Sequence, residues 1–317
     1  MQSNNSNLQV GQNIFIIIDD AGVTNTDFLG FTALLIDGIT FNNIDVKVTE
    51  FCVQNRITNL HARKLEIEGI EEGQLDMNEY ERIYKSLFDI VIPELEKATH
   101  VRLVNLLTNQ IINKNIYATH YKLFKDISGN LVDSKLHDKY HEFYSYFAFP
   151  TYEIIRRNII IANNIPINVI MDRKDDYETI GNDRIELKGN LFTISQNLKE
   201  TAVQVFNAYI KKAKNNDCKI TSLCITNSKN NALLNVVDAF CNLSYNYAKV
   251  IIQGDSNSSP AEIRKYNIYR NMLIQNIKMT LSDIQNTDKM IKDNFQYVAK
   301  KIKSIGNKEI STFELFH

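Results

Sequence analysis

The segment Ile14–Thr24, IFIIIDDAGVT, constrains the fold more than any other part of the chain. Its five consecutive apolar residues are β formers and predict a strand that is buried in a sheet. The run ends on Asp19 and Asp20, which are followed by Ala-Gly. A buried carboxylate costs several kcal/mol unless it is paired, hydrogen-bonded or bound to a metal. The end of this strand therefore requires a partner for its negative charge.

Hydrophobic periodicity and turn signals predict that strands and helices mix along residues 14–250. We expect strands at 14–19, Phe28–Asp37, Thr99–Thr108, Ile167–Asp175 and Cys218–Ser228. We expect helices at Phe41–Ile57, Asp76–Lys97 (with Asp76 as N-cap and Glu79 in a capping box), Lys135–Asn164, Leu187–Asn215 and 231–248. The short segment between the first two strands predicts a hairpin, and the later alternation adds further strands. The expected fold class is therefore α/β, with a mixed sheet flanked by helices.

The 317 residues divide into three predicted parts. Residues 1–12 form a flexible N-terminal arm, residues 13–252 form the α/β domain, and residues 261–317 form a helical C-terminal extension. The stretch 253–260, QGDSNSSP, is typical of a linker. From residue 261 onward there are ten Lys or Arg against six Asp or Glu, a net charge of +4, whereas the whole chain has −1. A solvated helical face explains this excess most simply, and a polyanionic partner is the alternative.

Several protein classes find no support in the sequence. Four cysteines without CxxC spacing, in apolar surroundings, predict reduced core thiols rather than a disulfide scaffold or zinc site. The polar N-terminus resembles no signal peptide, and there is no apolar run of about 18 residues to cross a membrane. The expected location is therefore cytoplasmic, without a membrane partner. P-loop, GxGxxG, HExxH and GxSxG motifs are also absent.

Three acidic positions interrupt otherwise apolar elements. Asp19, with Asp20, ends the first strand, Asp172 ends the strand INVIM, and Asp238 lies inside the helix LLNVVDAF. Asp238 is predicted on a buried helical stripe, together with Leu234, Val237, Cys241 and Tyr245. Carboxylates that converge from distant segments repel one another unless a divalent cation neutralises them. Their hard oxygen ligands predict Mg²⁺ or Mn²⁺, and two such ions can clamp a phosphodiester.

Each aspartate also has a purely structural interpretation. Asp19 or Asp20 can cap the following turn. Asp172 can pair with Arg173 or with a helix amide, and Asp238 can form a salt bridge to a Lys or Arg at the edge of the core. Two phosphate-transfer families that begin with a strand and aspartates do not fit. Haloacid-dehalogenase-type phosphatases need Asp where Ala21 stands, and receiver domains need a strand-end Asp some forty residues on, where NRITNLHARKL has none.

Three segments, in order, resemble the domain-of-unknown-function 3800 family. IFIIIDDAG resembles the family's (I/V)DESG strand, NVIMDRKD its apolar strand ending in Asp-Arg, and ITNSKNNALLNVVDAFCN its SKxxxLLQLADLIAG-type loop and helix. NLHARKL loosely resembles an intervening HxxxL-type segment. The resemblance spans about residues 13–248. It implies a ribonuclease-H-like mixed sheet and a metal-dependent nuclease.

The resemblance also implies roles for individual residues. Asp19, Asp172 and Asp238 match its acidic positions as catalytic residues and metal ligands, and Ser228 and Lys229 match the polar pair before the last helix. Lys229 would contact the scissile phosphate, and an ordinary exposed lysine is its structural alternative. Apart from the resemblance, His61 can be a general base or a phosphate contact, and a solvated loop histidine is its structural alternative. Arg173 is a further candidate for substrate binding.

This chain departs from the family pattern at several positions. DDA replaces DES, so Asp20 stands for Glu and a serine hydroxyl is lost. LNVVD replaces LQLAD, so Asn235 and Val237 stand for Gln and Ala. Asn59 occupies the place where a middle carboxylate is expected, and Glu66 or Glu68 would complete the metal ligands instead.

The sequence therefore predicts a nuclease that depends on Mg²⁺ or Mn²⁺ and acts on DNA or RNA. The alternative is a catalytically degenerate nucleic-acid-binding or assembly subunit, in a phage-defence or mobile-element system, that keeps the fold. The amphipathic C-terminal helices would provide a homodimer or partner-protein surface.

Overall fold

The computed structural model describes residues 13–21, 28–61, 65, 76–109, 147–155, 165–172, 199–200, 202–208, 210–211, 219–226, 231–293, 297–298, 304–305 and 308–310. It is α/β, with a mixed sheet between helices. The strands are β1 (Ile14–Ala21), β2 (Phe28–Asp37), β3 (Val101–Asn109), β4 (Pro166–Asp172), β5 (Lys219–Thr226), β6 (Tyr297–Val298), β7 (Ser304–Ile305) and β8 (Lys308–Ile310). The labelled helices are α1 (Gly38–Gln54), α2 (Met77–Lys97), α3 (Ala232–Gln253), α4 (Pro260–Gln275) and α5 (Leu281–Asp293). Residues 147–155 and the described residues of 199–211 are also helical.

The five long strands lie in the order β3-β2-β1-β4-β5. β1 pairs antiparallel with β2, and β2 pairs antiparallel with β3, so the predicted hairpin is confirmed. β1 pairs parallel with β4, and β4 pairs parallel with β5. The first strand of the chain is therefore the central one, and the carboxyl ends of β1, β4 and β5 lie at one edge of the sheet.

Strand alternation sends apolar side chains into two cores, one on each face of the sheet. On one face, Ile17, Leu34 and Ile170 pack against α1, α2, α3 and α4. On the other face, Ile16, Ile18 and neighbouring strand residues pack against the helical residues 147–155 and 202–210. Because both faces of β1 are covered, its continuous apolar run is explained.

Two helix starts are set by aspartate caps. α1 begins at Gly38, three residues before the prediction, because the Asp37 carboxylate accepts a hydrogen bond from the Thr40 amide at 2.9 Å. Asp76 caps α2 as predicted and accepts from the amides of Asn78 and Glu79. Glu79 does not supply the other half of a capping box, because its carboxylate pairs with Arg82.

The C-terminal part differs from the predicted helical extension. It contains α4 and α5, but it then adds the short strands β6, β7 and β8, with β6 and β8 pairing with β3. The linker-like stretch forms a single 3₁₀ turn, Asp255–Asn257, after Gly254 with φ +81°. α4 follows directly and packs on α3, so its apolar residues belong to the same core as the sheet.

Residues 147–155, inside the predicted helix Lys135–Asn164, form one helix that continues through Pro150. Cys241 is buried and Cys52 half-buried, but Cys224 is exposed on β5, so the prediction of a core thiol is wrong at that position. Among the described helices, none is both long and apolar enough to cross a bilayer.

Candidate carboxylate site

A row of polar residues crosses the five long strands on the face that α3 covers. Asp19 of β1 lies opposite Thr32 of β2, and Thr32 lies opposite Asn105 of β3. On the other side of β1, Asp172 follows the pair Ile18–Met171 and lies opposite Thr226 of β5. We call these five residues the polar row. At this position along each strand, a polar side chain lies next to the apolar side chains of the same face.

Asp19, in the centre of the polar row, is buried with 7% of its surface exposed. Its Oδ1 accepts a hydrogen bond from the Asp20 amide at 2.8 Å, while its Oδ2 is buried and has no hydrogen-bond partner among the described residues. Burial raises the pKa of Asp19 well above its usual range, and the negative charges of Asp238, Asp20 and Asp172 raise it further. The three other aspartates are therefore close enough to Asp19 for their charges to act on it.

Asp238 approaches this environment from helix α3. The helix begins after Asn231, whose side chain accepts from the Leu234 amide and caps it. Asp238 is buried with 5% exposed, and the apolar stripe predicted around it is buried as well. The Asp238 Oδ1 lies 3.7 Å from the His61 Nε2. His61 is therefore beside the carboxylates rather than on a remote loop.

Asn59 holds the segment that carries His61. Its Oδ1 accepts from the His61 amide at 3.1 Å, and Leu60 between them is buried in the core. The Asn59 Nδ2 is buried without a hydrogen-bond partner among the described residues. The residue in the expected place of the middle carboxylate is thus a buried amide that fixes a loop beside Asp238.

The remaining predicted residues divide into two groups. Strand alternation places the Asp20 side chain on the opposite face from Asp19, although its charge still raises the pKa of Asp19. Asp20 is only partly buried. The other predicted residues lie outside the described part of the chain: Glu66, Glu68, Arg173, Ser228 and Lys229.

The described side chains bear on the predicted metal site in two ways. Among them, no group of three or more His, Cys, Asp or Glu is arranged so that it could hold a metal ion. The donor chemistry nevertheless fits a hard cation, because Asp19 offers a buried carboxylate oxygen without a partner next to two further aspartates. Carboxylates that repel one another approach closely only when a cation or proton neutralises them.

A buried hydrogen-bond network adjoins Asp19, and the sequence reasoning missed most of it. The Cys241 Sγ donates to the Asp19 carbonyl oxygen at 3.6 Å. The Thr32 hydroxyl donates to the Asn105 Oδ1, and the Asn105 Nδ2 donates to the Tyr269 hydroxyl oxygen at 3.0 Å. Thr32, Asn105 and Tyr269 are 0%, 1% and 0% exposed. One signal was available: Thr32 and Asn105 are polar residues inside the apolar strands FLGFTALLID and VRLVNLLTN.

Comparison of the chain with protein-family models, with curated proteins and with solved structures finds no significant match.

Proposed function

We propose that this chain is a divalent-metal-dependent nuclease with a ribonuclease-H-like fold, as the resemblance to the domain-of-unknown-function 3800 family implies. One observation carries the proposal: the Asp19 Oδ2 is buried, has no partner among the described residues and is surrounded by the charges of Asp238 and Asp172. Such a carboxyl group stabilises the fold poorly. It is suited to binding a cation whose ligands must be hard oxygens.

The architecture supports the same proposal. A three-stranded antiparallel meander, β1-β2-β3, is extended on the β1 side by the two parallel strands β4 and β5. This is the kind of mixed sheet that the resemblance implies. The two strand-end aspartates are on neighbouring parallel strands, and the third lies on the helix that covers them.

Each of these residues would have a role that follows from its position. Asp19, Asp172 and Asp238 would hold Mg²⁺ or Mn²⁺, with Asp20 and Glu66 or Glu68 as additional ligands. When bound, the cation supplies Lewis-acid activation of the phosphodiester and of the attacking water. His61, 3.7 Å from Asp238, would donate a hydrogen bond to a phosphate oxygen. Arg173, Ser228 and Lys229 would contact the DNA or RNA backbone.

Thermal melting with Mg²⁺, Mn²⁺ and Ca²⁺ tests the metal site directly. A cation at about a hundred times its Kd stabilises a folded protein by about 2.7 kcal/mol. For a chain of this size, that corresponds to an increase in Tm of about 4 °C. We expect this increase in the wild type and its loss in Asp19→Asn. Asp288→Asn is the matched control, because burial also raises the pKa of Asp288, but this residue accepts a hydrogen bond from Tyr247 and is not among the charges that raise the pKa of Asp19.

Nuclease activity is the second measurement, on single-stranded and duplex DNA and RNA with Mn²⁺. Asp238→Asn is expected to abolish cleavage while the protein stays folded. Full activity in that variant would reject the assignment.

The alternative function is a degenerate nucleic-acid-binding or assembly subunit. It is favoured by Asn59, which places a buried amide where a carboxylate is expected, and by the lack of a ready metal group among the described side chains. Nucleic-acid binding without any effect of the three cations on Tm would support this alternative.

A further inference from the structure

The polar row is exposed to different degrees at its two ends. At the β5 end, Asp172 and Thr226 are partly exposed. At the β3 end, Thr32 and Asn105 are fully buried although both are polar. Buried polar groups are retained where every member is hydrogen-bonded, because an unpaired one is costly. The buried end therefore depends on whatever completes its hydrogen bonds.

Helix α4 completes them. The Tyr269 hydroxyl accepts from the Asn105 Nδ2 at 3.0 Å, and the Asn105 Oδ1 accepts from Thr32, which is the cross-strand neighbour of Asp19. α4 lies beyond residue 248, where the family resemblance ends. Tyr269 thus connects the C-terminal part of the chain, through Asn105 of β3, to β2, which pairs with the strand that carries the central carboxylate.

Cys241 closes the network on the side of α3. Its thiol donates to the Asp19 carbonyl oxygen at 3.6 Å. Burial raises the pKa of the Cys241 thiol well above its usual range, and the charge of Asp19 adds to the increase. The thiol is a buried hydrogen-bond donor to the backbone at the end of β1. The α3 residue Cys241 therefore contacts the end of β1 directly, whereas the α4 residue Tyr269 acts on it through β3 and β2.

We propose that Tyr269, Asn105, Thr32 and Cys241 form a positioning network that fixes the end of β1 and thereby the orientation of the Asp19 carboxylate. Its value for cation binding rests on the proposed function. Groups that orient a metal ligand without touching the metal typically change its affinity 10- to 100-fold, so about tenfold is expected here.

The test compares two tyrosines of one aromatic cluster. Tyr269→Phe deletes the hydroxyl that Asn105 requires, whereas Tyr247→Phe deletes an equally buried hydroxyl that donates to Asp288. The two rings lie 5.3 Å apart, so both variants disturb the same packing. Mn²⁺ affinity is measured by calorimetric titration of the folded proteins. A loss of about tenfold in Tyr269→Phe, with none in Tyr247→Phe, is expected. Equal affinities in the two variants would overturn the proposal.

Thr32→Val provides a second variant, because valine keeps the shape and strand preference of threonine while it removes the hydroxyl. We expect it to weaken Mn²⁺ binding at least as much as Tyr269→Phe does, since Thr32 lies directly opposite Asp19.

Hydrogen exchange of the backbone separates this proposal from the nuclease proposal, because it needs no metal. The amides of residues 17–21 should exchange faster in Tyr269→Phe and Thr32→Val, but not in Tyr247→Phe. If the wild type binds no Mn²⁺ while these amides still respond, the metal function fails and the positioning network stands. If the amides do not respond, the network is rejected whatever the protein binds.

Discussion

Asp19 and Asp37 are two buried aspartates of the same chain whose surroundings act in opposite directions. Asp19 faces other carboxylates, and its pKa is raised by burial and by their charges. Burial also acts to raise the pKa of Asp37, but hydrogen bonds from the Thr40, His100 and Thr99 amides outweigh it and lower that pKa. The two residues should therefore give the folded protein opposite pH dependences.

For Asp19 the folded state binds the proton more tightly than the unfolded state, whose pKa is about 3.9. The free energy of unfolding therefore falls as the pH rises from about 4 through the folded pKa. In buffer with a chelator, Asp19→Asn should be more stable than the wild type at pH 7, and the difference should vanish below about pH 4. Denaturant unfolding across this pH range measures the difference. Equal stability of both proteins at pH 7 would contradict an uncompensated buried charge.

Asp37 should behave in the opposite way. Its carboxylate caps α1 and accepts from the Thr99 and His100 amides at 2.9 and 3.2 Å. Asparagine can still cap a helix but offers one acceptor oxygen, so Asp37→Asn should cost about 1–3 kcal/mol at pH 7. Because the folded pKa is lowered, this contribution is complete above a pH of about 4 and is lost as the pH falls through the folded pKa. A cost that persists unchanged at acidic pH would assign the effect to packing instead.

At the scale of elements, Gly30 allows β2 to approach α3. Gly30 lies opposite Ala21 at the end of the hairpin, and a Cβ at this position would lie 3.0 Å from the Tyr245 Cδ2. Gly30→Ala should therefore push α3 away from the polar row. Overpacking of this kind costs about 1–3 kcal/mol in unfolding free energy. The double variant Gly30→Ala, Tyr245→Leu should recover part of this loss. An equal loss in the single and the double variant would show that the contact with Tyr245 is not its cause.

Elements with a long periodic pattern were predictable, and those with short or non-local determinants were not. The strand before Asp19 and the stripe around Asp238 follow from apolar spacing, which needs only neighbouring residues. α1 begins three residues earlier than predicted. Its first residue is a glycine, which disfavours helix, and the N-cap at Asp37 sets the boundary. The exposure of Cys224 follows from an irregular register between β4 and β5, which no local pattern records. β6 to β8 have two or three residues each and contain no periodicity at all.

The candidate site divides in the same way. That Asp19, Asp172 and Asp238 are unusual could be predicted, because each breaks an apolar run. Two contacts of the site could not be predicted: that of His61 with Asp238 and that of Tyr269 with Asn105. Each of them joins segments more than 150 residues apart. These contacts depend on how α3 and α4 pack on the sheet.

At the scale of the whole molecule, the chain beyond Gln253 is part of the core that supports the site. α4 and α5 bury six apolar side chains in the same cluster as β1 and α3: Ile268, Tyr269, Met272, Leu273, Ile284 and Ile291. Burial of each such side chain contributes about 1.5–3 kcal/mol, so together they contribute on the order of 10 kcal/mol. That is comparable with the total stability of an ordinary domain, about 5–15 kcal/mol.

A chain that ends at Gln253 should therefore fail to form a stable fold, because α3 would expose Tyr247, which packs on Tyr266 and Tyr269 of α4 and donates a hydrogen bond to Asp288 of α5. Loss of resolved amide resonances and binding of a hydrophobic dye would show this. The control is the full chain with a protease site inserted in the exposed turn Asp255–Asn257. After cleavage, the two pieces should stay together in gel filtration and keep the Tm of the intact protein within a few degrees. A folded, monomeric 1–253 fragment would instead mean that the C-terminal part is an independent unit, and the role given to Tyr269 would fall with it.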